Sequence, residues 1–274
     1  MPGRLILCAT PIGNLGDASS RLGRVLDTAD VIFAEDTRRS RTLLHHLGIK
    51  KPLRSYHAGN EAERSVQLGQ MLAEGNTIAL ITDAGTPAIS DPGLSAVAAA
   101  RHQQAEVSVV PGPSAVTAAL AVSGLPSDRF VFEGFLPRRS AARASRLAAM
   151  RAELRTMVLF VAPHHLLEDL QGLRQTLGDR DVAVARELSK AYEEVWWGTL
   201  GDAISEWSER EPQGEFTLVV AGGEEPPPDF EAAFALMKDL MAGGMTTGAA
   251  ARQVAEATGI PRRTLYERAI REMA

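Results

Sequence analysis

A loop at residues 82–93 has the composition of a ligand-binding turn. It reads TDAGTPAISDPG, with two glycines and two prolines, and it follows the apolar run at residues 77–81. In an open parallel sheet, small ligands bind outside the carboxyl ends of the strands. The loop therefore predicts close approach of its backbone to a small molecule, although a plain strand-to-helix connection would also use such turn formers.

Two further loops are rich in turn formers and follow apolar runs in the same way. Residues 10–17 follow the run at 5–9, and residues 111–115 follow the run at 107–110. Ser114 would lie at the N-terminus of the next helix, a favourable place for an anion or a polar ligand. Because the carboxyl ends of parallel strands meet at one edge, we expect the three loops to face one cleft.

The sequence lacks the motifs that are typical of several other kinds of site. No GxGxxG loop follows the first strand, and neither a GxxxxGK[ST] loop nor a GxSxG elbow occurs. The histidine pairs at 45–46 and 164–165 do not have metal-ligand spacing, and Cys8 is the single cysteine. We therefore predict no metal site and no disulfide.

Length and charge limit the partners. The 274 residues suggest about two domains, and the net charge of −5 opposes binding of nucleic acid over the whole surface. The exception is a run of six arginines relieved by Glu153 alone: Arg138, Arg139, Arg143, Arg146, Arg151 and Arg155. The chain has no apolar segment of membrane-spanning length and no leader pattern, so we expect a cytoplasmic protein without membrane contact.

The order of elements predicts an α/β fold with two α/β domains. Apolar runs alternate with helical periodicity, which favours a parallel sheet in the first half. We place the domains at 1–115 and 116–223, a stiff linker at 224–229, and a helical tail at 230–274. Within the tail, Gly259 and Pro261 separate two helical stretches, which is typical of a helix-turn-helix.

A set of motifs resembles the RsmI family of the tetrapyrrole methylase superfamily. These are ATPIGNLGD at 9–17, AEDTR at 34–38, DAGTP at 83–87, DPG at 91–93, VPGP at 110–113, GLPSDRF at 124–130, EGFLP at 133–137 and ARELSK at 185–190. This chain differs from the family pattern at residues 57–61, where it reads HAGNE in place of the family's usual histidine-asparagine run. The resemblance spans roughly residues 4–222.

The resemblance implies a homodimer that holds S-adenosylmethionine in the cleft between its two domains. Its substrate would be the ribose 2′-hydroxyl of a cytidine at the decoding centre of 16S rRNA, in the small ribosomal subunit. The expected cofactor-binding residues are Pro11, Gly13, Asn14, Asp83, Ala84, Gly85, Thr86, Pro87, Ile89, Ser90, Asp91, Pro92, Gly112, Pro113, Ser114, Ala115, Phe160 and Ala162.

Methylation of a hydroxyl requires proton removal, and three residues are candidates for it. Glu35 and Asp36 follow the apolar run at 31–34, where burial and mutual repulsion would raise one carboxyl pKa. Asp36 fits equally well as a helix cap. Lys190 would either approach the substrate or pair with Glu187 or Glu193. Positioning of the two substrates would supply much of the rate in any case.

The expected RNA contacts are basic residues in the arginine run, in the AEDTR motif and in the tail: Arg38, Arg138, Arg139, Arg143, Arg146, Arg262 and Arg263. Two alternatives remain open at this point. One is a tetrapyrrole C-methyltransferase of the same superfamily, and the other is a regulator that binds DNA through the helix-turn-helix.

Overall fold

The computed structural model describes residues 3–224 and 229–273. Its first sheet has five parallel strands in the order β3-β2-β4-β1-β5. Their bounds are β1 Arg4–Cys8, β2 Val31–Ala34, β3 Leu53–Ser55, β4 Thr77–Ile81 and β5 Glu106–Val110. The predicted parallel sheet is thus confirmed. The three-residue β3 lies at the edge, where a short strand needs no apolar run to signal it.

Helices cover both faces of this sheet: α1 Ser20–Thr28, α2 Thr37–His46, α3 Glu61–Ala73 and α4 Leu94–His102. Side chains of β1 alternate between the faces, as the pleat requires. Cys8 packs with leucines of α1 and α2, and Leu7 packs with leucines of α3 and alanines of α4. The buried sheet therefore presents only its edges and strand ends to other parts of the protein.

The second sheet is mixed, with the order β6-β7-β10-β8-β9. Its elements are α5 Ala115–Ser123, β6 Phe130–Phe135, α6 Ser140–Met150, β7 Thr156–Val161, α7 Leu166–Leu177, β8 Asp181–Arg186, β9 Glu194–Thr199, α8 Leu200–Ser208 and β10 Phe216–Val220. Only β6 and β7 pair in parallel, because β10 enters between β7 and β8 in the opposite direction. In the sequence, the buried strands of such an antiparallel arrangement show the same apolar runs as the strands of a parallel sheet.

One apolar cluster joins the two sheets. Val116 and Leu120 of α5 pack on Val158, Ala183 and other residues of the second sheet, together with Ile12 from the loop after β1. Both sheets belong to one compact unit that ends at Gly223. The packing of α5 agrees with a boundary near residue 115, and the four domain limits themselves stay predictions.

The start of α4 differs from what its sequence predicts. An Asp-Pro pair is typical of an N-cap followed by the first helical residue, which predicts these positions for Asp91 and Pro92, but Gly93 is the N-cap and Leu94 begins the helix. Gly93 has φ 148° and no capping side chain of its own. Its N–H instead donates to Glu61 at the start of α3, so a long-range contact replaces the local cap.

The C-terminal unit is a three-helix assembly with its own core. It consists of α9 Phe230–Ala242, α10 Thr247–Thr258 and α11 Arg262–Met273, packed around Phe234, Met237, Val254 and Leu265. Gly259 ends α10 in the left-handed conformation, which confirms the predicted helix-turn-helix. Residues 225–228 of the predicted linker lie outside the described residues. Across residues 3–224 and 229–273, no helix has both the length and the apolar character needed to span a membrane.

Two arginines of α6 are paired within the protein, contrary to the expected RNA surface. Arg143 donates to the carboxylate of Asp169 on α7, and their side chains are 11% and 1% exposed. Arg146 forms an ion pair with Glu133 of β6. Assignment of Arg143 to phosphate binding is therefore corrected, because its guanidinium is buried and already satisfied.

The Arg143–Asp169 pair predicts a specific loss of stability. Replacement of Arg143 by methionine keeps most of the apolar volume but leaves the Asp169 carboxylate buried without a partner, which costs about 3–5 kcal/mol. Burial already raises the pKa of Asp169 despite Arg143, so the loss should be smaller at pH 5 than at pH 8. Urea unfolding measures both. Arg139→Met, an exposed control, should stay within about 0.5 kcal/mol, and equal effects of the two changes would contradict this account.

Candidate active site

A cavity of about 350 Å³ lies between the loops of the first sheet and the strand ends of the second. The loops after β1, β4 and β5 all contribute to it, as the sequence predicted. Ten of the expected cofactor-binding residues line it: Ala84, Gly85, Thr86, Ile89, Ser90, Asp91, Ser114, Ala115, Phe160 and Ala162. We call it the first cavity.

A second cavity of about 430 Å³ lies beside the first, and the two share Ile12, Ala84 and Glu215. Three more of the expected cofactor-binding residues, Pro11, Gly13 and Asp83, line this second cavity instead. Arg39 and Thr42 of α2 and Lys190 of the turn between β8 and β9 complete its charged and polar wall. The structure thus divides the single cleft expected from the sequence into two adjoining compartments.

Five of the expected residues line neither cavity: Asn14, Pro87, Pro92, Gly112 and Pro113. They shape the loops that do. The Asn14 side chain accepts a hydrogen bond from the N–H of Gly16, and the carbonyl of Pro92 accepts one from the N–H of Ala88. A Cβ on Gly112 would lie 3.1 Å from the Cβ of Ala9, so this glycine allows close packing of two loops.

Sequence reasoning missed the apolar wall that the second sheet supplies. The additional residues of the first cavity are Ile12, Val116, Phe135, Val161, Pro163, Ala185, Leu188, Glu215, Phe216 and Thr217. Phe216 and Thr217 begin β10, which is antiparallel to β7 and β8, so its first residues meet their carboxyl ends. These two residues could be found only from the strand order. Phe135 is different, because it belongs to the EGFLP motif and the sequence therefore offered a signal for it.

Backbone hydrogen bonds hold the loops after β1 and β4 together. Thr10 and Gly85 exchange two bonds, with N···O distances of 2.9 and 3.1 Å. The Thr10 hydroxyl also donates to the carbonyl of Thr82 at 3.0 Å. Gly85 has φ 74°, a conformation that glycine adopts without strain. This pairing fixes the edge that the two cavities share.

The loop at 82–93 is strained and is held from outside. Ala88 and Ser90 have φ of 70° and 61°, which side-chain-bearing residues rarely adopt. Glu61 Oε1 accepts hydrogen bonds from the backbone N–H groups of Gly93 at 3.1 Å and Ser95 at 3.3 Å. Glu61 thus positions the end of the loop, and it does so without lining either cavity.

Glu35 and Asp36 have separate roles. Glu35 accepts the Asp83 N–H at 3.2 Å, and burial raises the pKa of the Glu35 carboxyl. Asp36 caps α2 by accepting the Arg38 N–H at 2.8 Å. Its ion pair with the Arg38 guanidinium and that cap lower the pKa of Asp36 to about 2. The sequence predicted a raised pKa for one of these two carboxyls. That carboxyl is Glu35, and burial is the main cause of the rise in its pKa. Neither side chain lines a cavity.

Lys190 links the turn between β8 and β9 to the loop after β1. Burial alone would lower the pKa of the Lys190 ammonium, but hydrogen bonds to Glu187 at 2.8 Å and the nearby Glu215 at 3.2 Å raise it. The expected partner Glu187 is confirmed, and Glu193 accepts the Ser189 N–H instead. The Lys190 stem packs against Gly13, where a Cβ would collide with it. Lys190 is therefore a cation at neutral pH and cannot act there as a neutral base.

Metal ligation finds no support in the side chains. Among residues 3–224 and 229–273, no group of three or more His, Cys, Asp or Glu side chains is arranged to hold a metal ion. The free Cys8 is buried, and burial raises the pKa of its thiol to about 12.

The family models match both units of this chain. Residues 4–204 match the model of Tetrapyrrole (Corrin/Porphyrin) Methylases, and residues 227–274 match the RsmI C-terminal HTH domain. Among solved structures, diphthine synthase has a TM-score of 0.62 at 16% identity and covers 80% of this chain and 89% of its own. Uroporphyrin-III C-methyltransferase from Thermus thermophilus, complexed with S-adenyl homocysteine, has a TM-score of 0.55 at 17% identity and covers 79% and 96%. The fold is that of a tetrapyrrole methylase.

Several relatives carry the name "Ribosomal RNA small subunit methyltransferase I". The protein from Synechocystis sp. is 48% identical over 97% of this chain and 96% of its own, and that from Pseudomonas aeruginosa is 42% identical over 98% and 97%. A relative from Thermotoga maritima is 44% identical over 222 residues, which is 81% of this chain and 100% of its own. This chain belongs to the RsmI family of the tetrapyrrole methylases.

The carboxyl of Asp91 predicts a pH-dependent stability. Burial and the nearby Glu35 raise its pKa from 3.8 to about 6. The folded protein therefore binds this proton more tightly than the unfolded chain, so the carboxyl favours folding below about pH 4, and this contribution is lost as pH rises through about 6. Asp91→Asn should gain free energy of unfolding relative to the parent between about pH 4.5 and 7.

Urea unfolding at several pH values measures this difference. Asp128→Asn, in an exposed loop, serves as the control that removes a carboxylate elsewhere. Parallel pH profiles for the parent and Asp91→Asn would contradict a raised pKa at Asp91.

Proposed function

We propose that this chain transfers a methyl group from S-adenosylmethionine to the ribose 2′-hydroxyl of a cytidine in 16S rRNA. The target lies at the decoding centre of the small ribosomal subunit. The observation that carries this proposal is near-full-length identity of up to 48% to proteins named for methylation of small-subunit ribosomal RNA. The likeness to tetrapyrrole and diphthine enzymes stays at 16–21% identity and concerns the fold.

The first cavity suits S-adenosylmethionine. Its volume lies at the lower end of the range for small-molecule sites, and its wall is mainly apolar. Asp91 supplies a carboxylate for a cationic ligand, while Phe135 and Phe160, whose ring centroids are 5.6 Å apart, supply aromatic surface. The bound sulfonium supplies an activated methyl group, and the protein orients it.

The second cavity suits the acceptor nucleotide. It adjoins the first at Ile12, Ala84 and Glu215, so a group bound there lies next to the ligand of the first cavity. Its cations, Arg39 and Lys190, can contact a phosphate. Holding the two reactants in adjoining compartments supplies the proximity and alignment that an in-line methyl transfer requires.

Glu35 is our candidate for proton removal. A carboxylate with a raised pKa is a stronger base than an ordinary one, and Asp36 and Lys190 have pKa values shifted away from that role. Glu35 lines neither cavity in this structure, but it lies next to the second one, because it accepts the N–H of Asp83, a residue that lines that cavity. Asp36 then contributes the cap of α2, and Lys190 contributes positive charge.

We also propose a homodimer that acts in the cytoplasm. Support for association comes from exposed apolar side chains: Val107 and Val109 on β5, Val122 on α5, and Trp197 on β9. Trp197 Nε1 donates to the carbonyl of Val122 at 3.1 Å, which brings these two exposed side chains of β9 and α5 together. Isolated exposed apolar residues are common, whereas adjoining ones such as Val122 and Trp197 are found at interfaces.

The proposed reaction predicts where a labelled methyl group goes. We expect label from S-adenosylmethionine to enter RNA of small ribosomal subunits, as 2′-O-methylcytidine after nuclease digestion. Naked 16S rRNA should accept less, and a tetrapyrrole precursor none. Scintillation counting and mass spectrometry of the nucleosides measure this. Label in the tetrapyrrole alone would contradict the proposal and identify this chain as a tetrapyrrole C-methyltransferase.

The assignment of Glu35 predicts a selective kinetic effect. Glu35→Gln should lower the single-turnover methylation rate by about 10²-fold, because general-base assistance contributes at least that much. Cofactor affinity, measured by calorimetry, should stay near normal, since only an interaction of the transition state is lost. Asp36→Asn is the matched control, because asparagine also caps helices. If both variants react at the parent rate, positioning alone accounts for the chemistry.

A further inference from the structure

The helix α2 presents a basic face with no acidic residue on it. Arg38, Arg39, Arg41, Thr42, His45 and His46 are exposed, whereas Ser40, Leu43 and Leu44 are buried. At 100° per residue these exposed positions fall within one continuous arc of the helix. The arginines and histidines therefore face solvent together.

The chain around α2 adds to this charge. From residue 37 to residue 60 there is no Asp or Glu, and the lysines and arginines are Arg38, Arg39, Arg41, Lys50, Lys51 and Arg54. Arg38 pairs with Asp36 and Arg39 with Asp83, in each case at an exposed guanidinium. Arg41, Lys50 and Lys51 form no ion pair with the residues that the structure describes. We call Arg38, Arg39, Arg41, His45, His46, Lys50 and Lys51 the α2 basic surface.

The position of this surface connects it to the site. Arg39 and Thr42, both on α2, line the second cavity. A strand that runs along α2 therefore arrives at the compartment proposed for the acceptor nucleotide. The predicted alternative at residues 138–155 is weaker, because three of its six arginines form ion pairs: Arg143 with Asp169, Arg146 with Glu133 and Arg155 with Glu153.

We infer that the α2 basic surface binds the phosphate backbone of the substrate RNA and guides it into the second cavity. This inference rests on the proposed function, and it names the surface that the RNA uses. In a protein with net charge −5, binding must come from local cations, each of which displaces counterions from the phosphates. The relative from Thermotoga maritima matches over its whole length with only 222 residues, which is 81% of this chain. A length close to that of the α/β unit favours an RNA-binding surface on that unit.

Paired triple variants test the inference with equal changes of charge. One variant carries Arg41→Gln, Lys50→Gln and Lys51→Gln. The other carries Arg138→Gln, Arg139→Gln and Arg151→Gln, three exposed arginines of the α6 region. The full chain is assayed for methylation of small ribosomal subunits with labelled S-adenosylmethionine. KM for the subunits is measured at several KCl concentrations and fixed Mg²⁺.

Each phosphate contact contributes roughly 0.7–0.9 to the slope of log affinity against log salt. The α2 variant should therefore raise KM and flatten the slope by about two units. Its kcat and its cofactor affinity should remain near those of the parent. The α6 variant should keep the parent slope, and both should melt at the parent temperature.

Two outcomes would overturn the inference: an unchanged slope in the α2 variant, or an equal loss of slope in both variants. Failure of the proposed function is distinguishable from these, because the parent protein itself would then transfer no label to the subunits.

Discussion

The reciprocal hydrogen bonds between Thr10 and Gly85 are the constraint on which the site depends. They join loops that follow β1 and β4, neighbours in the first sheet, and so form the shared edge of two cavities. On one side of this edge the loop at 82–93 bends through left-handed residues, and Glu61 holds its end. On the other side, Ile12 packs into the cluster that joins the sheets. A change in this pairing would move both compartments at once.

The ligand loops could be predicted because their signals are local. Glycine and proline restrict the backbone within a few residues, and a parallel sheet brings strand ends together whatever the strand order. The wall from the second sheet could not be predicted in this way, since β10 reads as one more apolar run and its antiparallel entry depends on distant partners. The cap of α4 illustrates the same limit, because Glu61 lies 32 residues from Gly93.

Charge shows the difference between composition and structure most directly. A count of arginines favoured α6, but Arg143 is held by Asp169 of α7, 26 residues away in sequence. The α2 segment has a similar excess of cations and was represented in the prediction by Arg38 alone. Its buried and exposed positions separate cleanly at helical spacing, so a helical projection of residues 37–46 already contained the basic face. What the sequence could not supply was the position of Arg39 and Thr42 beside the second cavity.

The ion pairs of Lys190 allow the second cavity to accept an anion. Before the anion binds, they leave the ammonium of Lys190 paired. Its ammonium lies between two carboxylates, Glu187 and Glu215, whose side chains are 17% and 71% exposed. Glu187 is fixed further by the backbone N–H of Glu215, so the Glu215 side chain is the partner that a phosphate can replace at low cost. Glu187 and Ser189 both adopt positive φ, and the Ser189 hydroxyl donates a hydrogen bond to Asp17 of the loop after β1. The strained turn that carries Lys190 is therefore anchored both to the loop after β1 and to Glu215 beside β10, and the lysine can exchange one partner while its position over Gly13 is kept.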